Sequence, residues 1–129
     1  MILSDLPGAF VPFLVDGVAL TAVLGVLFGL IIGVIPGLGP VTAVALAVPL
    51  TFGVEPVNGI TFLLAVYAGC VSGGATSSVL LNIPGTTGSI PTCFDGFPMS
   101  QAGRGNEALT VGIVASAVGA LGGAGVFLA

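Results

Sequence analysis

Charged residues are so rare in this chain that their positions constrain what it can fold into. One basic and five acidic side chains occur among 129 residues, at Asp5, Asp16, Glu55, Asp95, Arg104 and Glu107. Between them lie uncharged stretches at 17–54, 56–94 and 108–129. Each stretch reaches or exceeds the roughly 20 apolar residues that cross the hydrocarbon core as a helix. The charge pattern therefore predicts several membrane-spanning segments.

The composition excludes several classes of function. Charged residues make up 5% of the chain and hydrophobic residues 56%, whereas an average soluble domain carries about 25% charge. Nucleic-acid binding needs clustered Lys and Arg, and Arg104 stands alone. Histidine, the usual general base and metal ligand, is absent. We therefore expect a protein that contacts the lipid bilayer, is not an enzyme, and has no cofactor, no firm metal site and no nucleic-acid partner.

The apolar pattern predicts an all-α polytopic membrane protein with about three to four transmembrane helices, some of them discontinuous or re-entrant. The expected spans are 17–35, a short one at 40–52, 59–81 and 107–129, with a polar loop at 82–106. Residues 1–16 are expected to lead into the first span. Asp16 is the candidate N-cap, because its carboxylate can accept a free backbone N–H.

Glycines recur every four residues in the first span, at Gly25, Gly29 and Gly33. Residues four apart lie on one face of a helix. In lipid, a stripe of small residues lets another helix approach closely. The stripe predicts close helix packing, and the alternative is a glycine-tolerant span with no partner.

Two similar motifs interrupt the apolar segments. Ile35-Pro36-Gly37-x-Gly39 and Ile83-Pro84-Gly85-x-x-Gly88 are near copies that start 48 residues apart. Proline and glycine in such density end a helix. Between the motifs, 69–78 is rich in small and hydroxyl side chains, which favours a surface facing protein or water. The pattern predicts a pair of discontinuous helices.

Broken helices at membrane depth need their backbone polar groups satisfied by protein, water or a ligand. Half-helix N-termini attract anions, and freed carbonyls attract cations. The two breaks are therefore expected to bind a carboxylate, with Na⁺ near Asn82 and Thr86 as a further expectation. The candidate substrate- and ion-binding residues are Pro36, Gly37, Gly39, Ser77, Asn82, Pro84, Gly85, Thr86, Thr87 and Ser89. The alternative is that both motifs are ordinary turns at the membrane surface.

Asp95 has two interpretations. In Phe94-Asp95-Gly96 an aspartate followed by glycine is typical of a turn, which is the interpretation we favour. A role in coupling, as a proton or cation site, would require Asp95 to be buried inside the protein.

Four motifs occur in order between about Leu20 and the end of the chain. They are Gly33-Val34-Ile35-Pro36-Gly37-Leu38-Gly39-Pro40, Tyr67-Ala68-Gly69-Cys70-Val71-Ser72-Gly73-Gly74, Leu80-Leu81-Asn82-Ile83-Pro84-Gly85-Thr86 and Asp95-Gly96-Phe97-Pro98-Met99-x-x-x-Gly103. Together they resemble the large membrane subunit of the tripartite tricarboxylate transporter family. Four linked motifs are far more specific than any one of them.

The resemblance implies a multi-pass secondary transporter of the bacterial inner membrane that takes up citrate-like tricarboxylates and dicarboxylates by symport, with Na⁺ or H⁺ as the coupling ion. It also implies two partners, a periplasmic solute-binding protein and a small membrane subunit. Family members are several hundred residues long, so the resemblance implies an amino-terminal portion of one transporter domain. The last span, which stops at Ala129 without a polar flank, agrees with that expectation.

A function from another class is also compatible with these residues. A small non-catalytic membrane scaffold or assembly subunit would use its glycine faces to bind partner helices. In that alternative Gly25 and Gly29 matter, whereas Asn82, Thr86 and Thr87 do not.

Overall fold

A computed structural model describes residues 17–128, and every regular element within them is a helix. The expected lead-in at 1–16, with the Asp16 cap, lies outside the described residues. The elements are α1 (Val18–Val34), α2 (Pro40–Ala47) with a 3₁₀ turn (Val48–Thr51), α3 (Pro56–Leu81), a 3₁₀ turn (Thr87–Ser89), α4 (Ile90–Met99), a π turn (Ser100–Arg104) and α5 (Gly105–Leu128). This confirms the all-α class with glycine- and proline-broken segments.

Two helical stretches are long and apolar enough to cross a membrane. They are Pro56–Leu81 and Thr87–Leu128, the second a run of consecutive turns that includes α4 and α5. Val18–Val34 and Pro40–Thr51 are shorter apolar helices. At 1.5 Å per residue, the 17 residues of α1 reach about 25 Å.

Helices α1 and α3 run parallel and touch backbone to backbone. A Cβ atom placed on Gly29 or Gly33 would overlap the backbone of Val66 or Cys70, respectively. In the other direction, a Cβ on Gly69 would overlap the Val26 carbonyl. Because the contact positions rise together in both helices, the two helices point the same way. The predicted glycine stripe therefore packs within the chain.

Helix α2 returns antiparallel to α1 and α3. At its start, the Leu38 carbonyl lies 3.7 Å from the Cys70 thiol, and at its end Thr51 packs beside Gly59 near the start of α3. Its inner face is made of alanines that are completely buried, Ala43 and Ala47. The small buried core joins all three helices and consists of Ile32, Ala43, Ala47, Val66 and Cys70.

The loop predicted at 82–106 is wrong for most of its length, because Ile90–Met99 is helical and a π turn continues it. Pro91 is tolerated in the first turn of α4, where a backbone N–H has no partner in the helix.

The turn predicted at Asp95 is wrong as well. Gly96 is buried against Val79, where a Cβ would lie 2.8 Å from a Val79 methyl carbon. The glycine therefore allows a close helix contact, and Asp95 lies exposed on the helix.

A kink separates α4 from α5. Gly103 takes a left-handed conformation with φ 77° inside the π turn. Just after it, Arg104 forms a two-pronged ion pair with Glu107, with nitrogen to oxygen distances of 2.6 and 2.7 Å. Both side chains are more than half exposed. The carboxylate also lies in the first turn of α5, where the helix dipole favours negative charge.

Candidate binding site at the helix breaks

The first break separates α1 from α2. Helix α1 ends where Ile35 becomes extended, and Gly37 then takes φ 90°, which a residue with a Cβ rarely adopts. Pro40 begins α2 at the first helical position, where a missing N–H costs nothing. Pro36 and Gly37 are exposed, and no atom lies within 4 Å of a Cβ built on Gly37. These two residues set the backbone course of the turn, and their side chains stay exposed.

The second break follows α3. Asn82 ends the helix in a left-handed conformation with φ 57°, which asparagine tolerates better than most residues. A capping box then starts the next helical turn. The Thr86 side chain accepts from the Ser89 backbone N–H, and the Ser89 side chain accepts from the Thr86 backbone N–H. The Ser89 hydroxyl lies 3.1 Å from the Thr86 amide. The buried hydroxyl of Ser89 thus stabilises the backbone of the break.

The two breaks meet at Gly85, which is buried. A Cβ built on it would lie 2.7 Å from Gly74 Cα and 3.4 Å from the Gly33 carbonyl oxygen. A Cβ on Gly39 would lie 3.8 Å from the Gly85 carbonyl oxygen. The second break therefore inserts between α1 and α3 and reaches the start of α2. Motifs 48 residues apart in sequence form one junction in space.

Ser77 ties the second break to α3. Its hydroxyl is 2.9 Å from the Gly74 carbonyl oxygen and 3.3 Å from the Ile83 carbonyl oxygen. Ser77 is 1% exposed, so this oxygen serves the backbone rather than an open surface. The Ser78 hydroxyl, also buried, donates to the Gly74 carbonyl alone.

The remaining candidates differ in how open they are. Asn82 and Thr87 are exposed, and Thr86 is half-buried. Asn82 and Pro84 line a cavity of about 440 Å³ whose opposite wall is formed by α4. The other lining residues are mainly apolar: Ile90, Cys93, Phe94, Phe97 and Pro98. The second break thus borders an open, mainly apolar groove.

Sequence reasoning missed a second cleft, of about 360 Å³, between α3, α4 and α5. Four hydroxyl residues line it among apolar ones: Ser72, Thr76, Thr92 and Ser116. The hydroxyl residues of α3 were the sequence signal for this cleft. Thr92 and Ser116 join them only because 90–128 folds into helices that pack beside α3. Within residues 17–128, no group of three or more His, Cys, Asp or Glu side chains could hold a metal ion.

Two helices start near the junction of the breaks. Helix α2 begins at Pro40, directly after Gly39, and α4 begins at Ile90, after the capping box. Helix α2 therefore starts close to Gly85 in space, and α4 starts shortly after Gly85 in the chain. Backbone N–H groups at a helix start carry partial positive charge. Two such starts place partial positive charge near the junction.

Comparison with known proteins points to one family. Residues 19–129 match the Tripartite tricarboxylate transporter TctA family. A protein of Agrobacterium vitis, described as an uncharacterized 52.8 kDa protein in the TAR-I ttuC′ 3′ region, is 36% identical over 93 residues. That alignment covers 72% of this chain and 18% of the relative, so the chain spans less than a fifth of the relative's length. No solved structure matches significantly.

Proposed function

Because the chain belongs to the tripartite tricarboxylate transporter TctA family, we propose that it forms part of the large permease subunit of a system that takes up citrate-like carboxylates. In this proposal the chain supplies one broken-helix half of the substrate site. A periplasmic solute-binding protein delivers the substrate and a small membrane subunit accompanies the large one. The assembly crosses the bacterial inner membrane several times.

The observation that carries this proposal is the meeting of the two breaks at Gly85. Ordinary surface turns do not insert between two helices, whereas irregular backbone at membrane depth must be enclosed by protein or line a water-filled cavity. In secondary transporters, discontinuous helices of this kind place positive helix starts against anionic substrates. Asn82, Thr86 and Thr87 supply polar side chains beside those helix starts.

A coupling ion is part of the proposal. Uptake of a charged carboxylate against its gradient needs Na⁺ or H⁺ to move with it. Freed carbonyls and hydroxyls near Asn82 and Thr86 are suitable Na⁺ ligands, because hard cations take oxygen ligands. Asp95 is exposed on α4, so a coupling role for it would require cover from outside the described residues.

The substrate site is tested by removing exposed polar side chains at the second break. Asn82→Gly keeps a residue that adopts φ 57° and removes the amide, and Thr87→Val removes one hydroxyl. Radiolabelled citrate uptake is measured in bacteria that have no citrate uptake of their own and that express the complete subunit with both partners. We expect each variant to lower uptake at least about fivefold, since each good polar contact is worth about 1–3 kcal/mol.

The matched control is Thr61→Val on α3. Its hydroxyl donates to the Val57 carbonyl at 2.7 Å. Thr61 lies near the start of α3, whereas the junction lies near the other end of that helix. Membrane levels of all proteins are compared by immunoblot. Normal uptake by both break variants would remove the second break from the substrate site. Gly85→Leu is less informative, because any Cβ there collides with Gly74.

The scaffold alternative makes a different prediction about the glycine stripe. It needs Gly25 and Gly29 to face helices of other proteins, yet both pack against α3 of the same chain. The coding sequence around these residues separates the two functions directly. A reading frame that continues with further apolar spans supports the permease, and a frame limited to these residues contradicts it.

A further inference from the structure

The first break contains a backbone carbonyl that the neighbouring helix does not use. Leu38 lies two residues before Pro40, where α2 begins. The first acceptor of α2 is the carbonyl of its N-cap Gly39, which accepts from the Ala43 N–H at 3.0 Å. The Leu38 carbonyl therefore lies outside the hydrogen-bond pattern of α2. It needs a donor from elsewhere, because an unpartnered buried carbonyl is costly.

The Cys70 thiol of α3 supplies that donor. Its Sγ lies 3.7 Å from the Leu38 carbonyl oxygen, and Cys70 is completely buried. A thiol is a weak donor, but in a buried place no water competes with it for the carbonyl. The contact joins residues 32 apart in the chain. It therefore attaches the first break to α3 and not to either of the helices that the break connects.

Cys70 also contacts the end of α1. A Cβ on Gly33, in the last turn of α1, would overlap the Cys70 backbone. The residues at 35–37 then leave the bundle and are exposed, whereas the Leu38 side chain returns and packs against the core that contains Cys70. The backbone of Cys70 thus holds the point where the break begins, and its thiol holds the point where the chain comes back.

Cys70 and Ser77 have matching positions on α3. They are seven residues apart, which places them on one face of the helix about two turns from each other. Ser77 donates to the Ile83 carbonyl of the second break, as Cys70 donates to the Leu38 carbonyl of the first. Both side chains are buried. One helix therefore carries a buried donor for each break.

We propose that Cys70 is a positioning residue, whose thiol fixes the Leu38 carbonyl and so determines where Gly37 and Gly39 lie relative to the second break. The thiol acts as a hydrogen-bond donor and undergoes no covalent chemistry in this role. The inference rests on the proposed function only for its effect on transport, since the attachment of the break to α3 is a property of the fold.

The test compares Cys70→Ala, which removes the donor, with Cys70→Ser, which keeps a donor at nearly the same size. Amide hydrogen exchange across 35–39 is measured in the complete protein in neutral detergent. The Leu38 N–H donates to the Ile35 carbonyl at 3.2 Å, so its exchange reports opening of the break. We expect exchange about threefold faster in Cys70→Ala and close to the wild-type rate in Cys70→Ser.

Two controls separate the loss of the donor from the loss of packing. Val66→Ala removes two methyl groups from the same buried core, one turn before Cys70. Cys93→Ala removes a thiol that donates to the Ser89 carbonyl four residues earlier. Neither variant should accelerate exchange across 35–39 more than across the rest of α1 and α3.

Three results would overturn the proposal. They are an unchanged rate in Cys70→Ala, equal rates in Cys70→Ala and Cys70→Ser, and an equal acceleration in Cys70→Ala and Val66→Ala. If Cys70→Ala does not fold, the pair Cys70→Val and Cys70→Thr makes the same comparison, because the two side chains have similar shapes and only threonine can donate.

Citrate uptake by the complete subunit with both partners separates this inference from the proposed function. If the first break is part of the substrate site, Cys70→Ala should raise KM about threefold at an unchanged maximal rate, and Cys70→Ser should restore KM. Faster exchange with an unchanged KM supports the positioning of the break by Cys70 and contradicts the assignment of the first break to the substrate site.

Discussion

At the scale of single residues, the same amino acid has opposite roles in different helices of this chain. Gly29 sits where a Cβ would overlap the Val66 carbonyl, whereas nothing lies within 4 Å of a Cβ built on Gly112 of α5. Adding a methyl group at the first position forces two backbones apart. At the second it only removes the conformational freedom of glycine.

A pair of alanine substitutions tests this contrast. Gly29→Ala should destabilise the protein by about 1–3 kcal/mol through overpacking. Gly112→Ala should be neutral or stabilise by up to about 1 kcal/mol, since alanine is the better helix former. Unfolding of the complete protein in mixed detergent micelles with increasing denaturing detergent measures both. Equal effects of the two substitutions would mean that α1 and α3 are not in backbone contact.

The sequence predicted the glycine stripe but not its partner. A four-residue spacing is visible in one dimension, since it depends on helix geometry alone. That Gly33 meets Cys70 depends on α1 and α3 being parallel, which no local pattern encodes. The turn predicted at Asp95-Gly96 was wrong for a related reason. Glycine in a turn and glycine against Val79 look the same until the neighbouring helix is known.

At the scale of elements, the breaks were predictable and their meeting was not. Proline and glycine act on the backbone within a few residues, so the ends of α1 and α3 could be located from composition. The polar loop expected at 82–106 was wrong because Thr86 and Ser89 form a capping box. That box starts a helical stretch in spite of the prolines. The insertion of Gly85 between two helices depends on tertiary packing.

Ser77→Ala tests how the second break is held. Loss of its hydroxyl leaves the Ile83 carbonyl without this partner, which costs about 1 kcal/mol. Amide hydrogen exchange across 82–89 should become about fivefold faster, as expected for a local opening made easier by that amount.

Ser78→Ala is the matched control, because Ser78 is equally buried but donates only to Gly74 within α3. Exchange in 82–89 should stay unchanged in this variant. If both variants accelerate exchange equally, the effect comes from helix α3 and not from the tie to Ile83.

At the scale of the whole molecule, the parallel course of α1 and α3 fixes a topology. Since both helices point the same way, their starts near Val18 and Val54 lie at one end of the helix bundle, with α2 as the return, and we expect that end to face one side of the membrane. Most large hydrophobic side chains of the described chain are exposed, and α5 buries none of its residues. Such a surface suits lipid or other helices packed against it.

Cysteine labelling checks the topology in intact cells. In the complete protein with Cys70, Cys93 and every other native cysteine replaced by alanine, Val18→Cys and Val54→Cys should react with a membrane-impermeant maleimide from the same side. Uptake or correct membrane insertion of the cysteine-free protein serves as the control. Reaction from opposite sides would contradict the parallel arrangement.

The position of Gly85 has a mechanical consequence. Gly33 of α1 and Gly74 of α3 flank it, with the Ser77 hydroxyl beside them, and backbone contacts of this kind have no rotamers that could absorb a displacement. We therefore expect a displacement of the second break to move α1 and, through α1, the turn at Pro36. The two breaks are expected to move together rather than separately.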